Sequence, residues 1–172
     1  MAKNKIVRLG RSLYRLRAVI AVPFFIMVLV FARPSSCLYV LASLLILAGL
    51  LVRIWAAGYI GKQSRKKEFS ADFVITNGPY RYVKHPLYLG NFFLVLGVIL
   101  LFNVPLWLSI FLIVLFIVEY SLIIYSEMRF LSGLIRKKAN FNLSNVKNEV
   151  STICILCVIY LFYVGRAILT SD

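Results

Sequence analysis

Five apolar stretches, near residues 14–32, 37–60, 86–103, 105–126 and 151–169, alternate with short basic segments along this chain. About 20 mainly apolar residues carry a helix across the hydrocarbon core of a bilayer, and each stretch is close to that length. With 62% of residues hydrophobic and 15% charged, a water-soluble domain of ordinary surface composition is excluded. The expectation is an all-α fold, a polytopic transmembrane helix bundle of about five spans, in a single integral membrane domain covering residues 1–172. Pro34, Pro86 and Pro105 fall at the proposed boundaries, where a missing N–H costs little.

The formal net charge is +14, an excess that can mean nucleic acid or membrane topology. Its layout decides between them. Lys3, Lys5, Arg8, Arg11, Arg15 and Arg17 lie before or at the start of the first span. Lys62, Arg65, Lys66, Lys67, Arg81 and Lys84 lie between the second and third, and Arg129, Arg136, Lys137, Lys138 and Lys147 between the fourth and fifth. The opposite side has Arg33 and Arg166. That alternation is the bias of Lys and Arg toward cytoplasmic loops, and it places the N-terminus in the cytoplasm and the C-terminus outside. No nucleic-acid partner is needed to explain the charge. Arg33-Pro34 replaces the small-residue cleavage site of a signal peptide, so the first span reads as a retained anchor.

Cys37, Cys154 and Cys157 are an odd count in or beside apolar runs, which argues against a disulfide framework. They read as buried small apolar residues. Neither a second pair to match the C-x-x-C nor an H-E-x-x-H is present, so no metal is expected.

Ionisable residues inside or at the edge of a membrane are candidates for function, because lipid charges several kcal/mol for them. Here they are Arg53, Glu119 and Glu127, with the chain's single histidine, His85, at the start of a helix. Arg53, late in the second span, is placed to snorkel to the surface. Glu119 is deep in the fourth span and needs a partner that the sequence does not name.

The densest polar segment runs from Asn77 to Gly90, NGPYRYVKHPLYLG, into the third span. Feature by feature it is a Gly-Pro turn, an interfacial tyrosine belt and a proline in a first helical turn. Taken together, a histidine, tyrosine hydroxyls, cations and free helix N-terminal N–H groups suit a polar or anionic ligand. Spans three and four form a hairpin around Asn103 to Pro105. His85 lies 18 residues before that turn and Glu127 22 after it, so at about 1.5 Å per residue both return to one boundary. The end of span two, from Arg53 to Gly61, arrives there as well.

The run GPYRYVKHPLYLGN, Gly78 to Asn91, resembles the signature of the isoprenylcysteine carboxyl methyltransferase and phospholipid methyltransferase family of integral membrane enzymes. Arg53-Ile-Trp-Ala-Ala-Gly58 is similar to the family's R-x-W-A-x-G, and Glu127-Met-Arg-Phe-Leu131 to its E-E-R-F-L. Phe141 to Glu149 is similar to the tail of many bacterial members. The resemblance implies a helical membrane transferase that uses S-adenosylmethionine. Carried over by position, the cofactor contacts are Val74, Ile75, Tyr80, His85, Pro86, Leu87, Tyr88, Gly90 and Glu127. Arg81, Lys84 and Arg53 are the cations available to orient an acceptor, and no catalytic base is assigned.

The chemistry is compatible with the resemblance. S-adenosylmethionine offers a carboxylate, an ammonium, hydroxyls and a sulfonium, which call for donors, an acid and an aromatic wall. The chain departs from the family at Met128, where a second acid is usual, and at Lys84, where arginine usually precedes the histidine. It departs also at Ile123, where the eukaryotic isoprenylcysteine enzymes have a substrate arginine, and in the absence of tyrosine from Gly133 to Asn145. A prenylated C-terminal cysteine is therefore disfavoured as acceptor. The expected function is methyl transfer to a membrane lipid or other hydrophobic acceptor at the cytoplasmic interface, in a multi-pass protein of a bacterial inner membrane. Two alternatives stand beside it: a membrane steroid or sterol-type reductase using NADPH, whose H-P-x-Y-like block is related, and a non-catalytic degenerate relative kept for binding or assembly.

Overall fold

A computed structural model describes residues 2–33, 37–61, 71 and 73–169. Pro34 and the basic residues Lys62, Arg65, Lys66 and Lys67 lie outside that set. The described helices are α1 (Ala2–Val30), α2 (Tyr39–Ile60), α3 (Pro86–Leu101), α4 (Leu106–Leu131) and α5 (Val150–Leu169). The fold is an all-α bundle. Two short 3-10 helices, Gly78–Arg81 and Leu143–Glu149, precede α3 and α5.

Among the described residues, four apolar helical segments are long enough to cross a membrane: most of α1, α2, α4, and the run Leu143–Arg166 that contains most of α5. The third expected span is shorter, since the 16 residues of α3 rise only about 24 Å. Two boundaries also move. α1 begins at Ala2 rather than near residue 14 and continues through Pro23; Arg and Lys are good helix formers, so basic residues on its protruding turns do not end it. α4 runs to Leu131 instead of 126 and so carries Glu127 on its own last turns.

Without a hydrophobic drive between helices in lipid, close approach of small residues supplies the packing. α2 and α3 make the most extensive contact. A Cβ on Gly49 would lie 2.8 Å from the Gly90 carbonyl oxygen, and one on Gly97 would lie 2.5 Å from Ile46 Cγ1. α1 packs on α4 by the same device, with Gly10 fitted against Ser126 Oγ and the Leu122 carbonyl. The antiparallel α3–α4 turn places Asn103 at φ 46, a left-handed conformation that asparagine tolerates. Its end of the bundle holds the buried core, including Val28, Ile46, Ile99, Phe102, Leu108 and Ile159.

Outward faces are rich in exposed leucine, isoleucine, valine and aromatic side chains, as a lipid solvent permits. This corrects the expectation for the cysteines: Cys37, Cys154 and Cys157 are exposed, because in lipid the outer face of a helix is as apolar as its core.

At the opposite end from the α3–α4 turn, a strap built from residues 132–149 crosses the helix ends. β1 (Val74–Ile75) pairs in parallel with β2 (Arg136–Lys137), in register Val74 with Arg136. Asn77 locks the pair by donating to the Ala139 carbonyl at 2.7 Å and accepting from its N–H at 2.9 Å. Further along, the Asn142 N–H and the Asn145 side-chain amide both donate to the Gly58 carbonyl. The Phe141 ring lies where a Gly58 side chain would be.

Candidate functional site

Pro86 fixes the first turn of α3, and His85 caps it from a non-helical conformation. That geometry leaves the imidazole outside the helix, facing the last turns of α4. Its Nδ1 is 3.1 Å from Glu127 Oε2. The hairpin has thus returned these two residues to one level, as their spacing from the turn requires. The imidazole also stacks on Tyr88, with ring centroids 5.5 Å apart and planes 9° from parallel. Tyr88 meets Tyr120 edge-on, and Tyr120 stacks on Phe116 at 4.0 Å, so an aromatic column descends from the histidine into the bundle.

A cavity of about 520 Å³ opens beside this column, within the 300–1,000 Å³ range of small-molecule sites. Its upper end is polar, lined by Tyr80, Lys84, His85, Tyr88 and Glu127, with Val74, Ile75, Pro86 and Leu87 around them. Deeper, the lining passes through Asn91, Glu119 and Tyr120 to apolar side chains such as Phe25, Val98, Ile99, Leu112 and Ile159. The Tyr80 hydroxyl is buried without a hydrogen-bond partner. Burial, and secondarily the nearby Glu127 charge, pushes its pKa above the usual tyrosine value, so Tyr80 is a neutral donor awaiting an acceptor rather than a base.

Two of the residues singled out from sequence are placed elsewhere. Gly90 serves the α2 contact, where a Cβ would lie 2.5 Å from Arg53 Cγ, and Arg81 is exposed on the 3-10 turn, off the cavity lining. Arg53 lines the cavity but does not snorkel. Its guanidinium is held by Glu149, with Nε and Nη2 each 2.8 Å from Oε2, and it also donates to Asn91. Glu149 is fully buried and accepts a further bond from Thr152 at 3.0 Å. Asn91 in turn donates to the Tyr120 hydroxyl at 2.8 Å. Arg53 is therefore the hub of a network joining α2, α3, α4 and the start of α5.

Sequence reasoning missed Tyr14, Arg17, Asn91, Tyr120 and Thr152 as lining residues. Asn91 ends the recognised motif and was within reach. Nothing local marks α1 as a cavity wall, because its contribution depends on helix order around the bundle. Among the described residues, no group of three His, Cys, Asp or Glu could hold a metal ion.

Long apolar helices define a multi-pass integral membrane protein, and the His85–Glu127 contact lies at the polar end of its mainly apolar cavity. The phospholipid methyltransferase family model matches residues 37–138, more than half of the chain, and the protein belongs to that family of membrane methyltransferases. No curated protein and no solved structure matches it. α1 and α5 lie outside the matched segment yet contribute lining residues to the cavity.

Proposed function

We propose that the protein transfers the methyl group of S-adenosylmethionine to a hydrophobic acceptor that reaches the cavity from the membrane. The observation that carries this reading is the His85–Glu127 contact at the polar end of a cavity whose other end is apolar. The residues present fit the cofactor. Glu127 can accept from an ammonium or a hydroxyl, His85 and the unpartnered Tyr80 hydroxyl can donate to a carboxylate or ribose, and Tyr88 can flank a cation. When bound, S-adenosylmethionine supplies an electrophilic methyl group on a sulfonium. The protein's part is to align the acceptor and strip water from it, which the apolar lower cavity favours. The strap, pinned by the β1–β2 pair and Asn77, holds Val74 and Ile75 against the cavity from the aqueous side.

The basic faces support a cytoplasmic site: Arg81, Lys84, Arg129, Arg136, Lys137 and Lys138 are exposed at this end, as expected for the inner membrane of a bacterium. The test is calorimetry on the purified chain in detergent with S-adenosylhomocysteine, and with NADPH as control. Binding of the first alone is expected, with loss of at least tenfold in affinity in His85→Ala and Glu127→Ala. Binding of NADPH instead would select the reductase chemistry, and binding of neither a non-catalytic role.

A further inference from the structure

Arginine carries hydrogen-bond donors and no acceptor, so the Arg53 guanidinium, which donates to Asn91 Oδ1, fixes which way the Asn91 amide faces. A flipped amide would set N–H against N–H. Arg53 is itself held in place, since Glu149 takes Nε and Nη2 at 2.8 Å each. The Asn91 Nδ2 group is thereby committed to the other side, where it donates to the Tyr120 hydroxyl oxygen at 2.8 Å.

Tyr120 receives that bond on a ring that is fixed by its neighbours, stacked on Phe116 with centroids 4.0 Å apart and meeting the Tyr88 ring at 5.2 Å. A phenolic O–H prefers the plane of its ring, which leaves two directions, and the incoming Asn91 N–H fills one of them. Among the described residues, the bond from Asn91 is the one hydrogen bond this hydroxyl makes. Its oxygen is engaged and its proton has no taker within the protein, the reverse of what a base would need. Asn91 and Tyr120 both line the cavity.

We infer that Tyr120 is a ligand-binding residue of the cavity, a one-way donor to an oxygen lone pair of the bound molecule, and that Asn91, aimed by Arg53, is the positioning residue that makes it so. Carbonyl, carboxylate and ether oxygens fit such a donor, whereas an N–H group of a ligand finds no acceptor there. The inference rests on the methyltransferase reading only for the use of the cavity. It adds a fixed donor seven residues before Glu127, about 10 Å from it along the helix axis. It also gives the buried Arg53–Glu149 pair a purpose other than its small net stability, that of holding the network in one arrangement.

The test needs no turnover. The tyrosine Raman doublet distinguishes a phenol oxygen that accepts a hydrogen bond from one that donates. Subtracting the spectrum of Tyr120→Phe from that of the full chain in detergent isolates Tyr120, which is expected to be of the accepting type. A donating type in the ligand-free chain overturns the inference. Methyl nonyl ketone, which has an acceptor oxygen and no donor, is expected to move the doublet toward the donating type. It should bind about fivefold less tightly to Tyr120→Phe, the worth of one neutral hydrogen bond. A ketone that binds both chains alike overturns the donor. The double variant Arg53→Met, Glu149→Leu, measured against its own Tyr120→Phe counterpart, tests the positioning. With its amide released, Asn91 can turn its carbonyl to the hydroxyl, so the accepting signature should be lost and ketone affinity should fall toward that of Tyr120→Phe. A folded double variant that keeps both overturns the role of Asn91. Should it fail to fold, Asn91→Leu is read in the same way, loss supporting the assignment and retention overturning it. Failure of S-adenosylhomocysteine to bind would strike the methyltransferase reading, whereas ketone binding indifferent to Tyr120 strikes this inference alone.

Discussion

Arg53 and Glu149 carry opposite charges where solvent scarcely reaches, with side chains 11% and 0% exposed. Such a pair contributes little net stability, since desolvation offsets most of the attraction, but removing one partner strands the other. Arg53→Met is therefore expected to destabilise the chain by about 3–5 kcal/mol, seen as a large fall in unfolding temperature in detergent. The double variant Arg53→Met, Glu149→Leu should recover much of the loss, and a double variant no better than the single one would show that the charges are not coupled. The sequence made Arg53 conspicuous as a cation in an apolar helix, but offered snorkelling as its fate. Its partner is 96 residues away, at the end of a polar 3-10 segment that resembles a surface loop. Burial of Glu149 follows from how that segment folds back under α2, which no local pattern reports.

At the level of elements, the apolar runs disclosed the helices because each must cover its own backbone hydrogen bonds in lipid. The ends were less legible. Basic residues look like a loop before α1 yet continue the helix into water, and two-residue strands joined across 61 residues leave no periodicity to detect. The recognised motif also mixes two purposes: His85 and Tyr88 face the cavity, whereas Gly90 faces α2. Even alanine at Gly90 would set its Cβ 2.9 Å from the Gly49 carbonyl oxygen and 2.5 Å from Arg53 Cγ. Gly90→Ala is thus expected to push α3 from α2 and cost about 1–3 kcal/mol as an overpacking change, with the Arg53 network shifted. Gly165→Ala, in open space on α5, is the control that should leave the unfolding temperature unchanged. Equal effects of the two substitutions would refute the close-packing account.

For the whole molecule, the decisive relation is between the polar end of the cavity and the sides of the membrane. In the orientation proposed from the charge pattern, the strap, Arg81 and the His85 end lie in the cytoplasm, and Cys37 and the α3–α4 turn outside. The bundle supplies a native reporter: Cys37 is exposed just before α2, on the side opposite His85, while Cys154 and Cys157 lie within α5. In a Cys154→Ala, Cys157→Ala background, a membrane-impermeant maleimide should label Cys37 in intact cells. Arg81→Cys, added to that background with Cys37→Ala, should be labelled only after the membrane is opened. The reverse pattern would place the cavity mouth on the outer face, away from the adenosyl cofactor pool of the cytoplasm. Methyl transfer by this site would then lack its donor, whatever the geometry of His85 and Glu127.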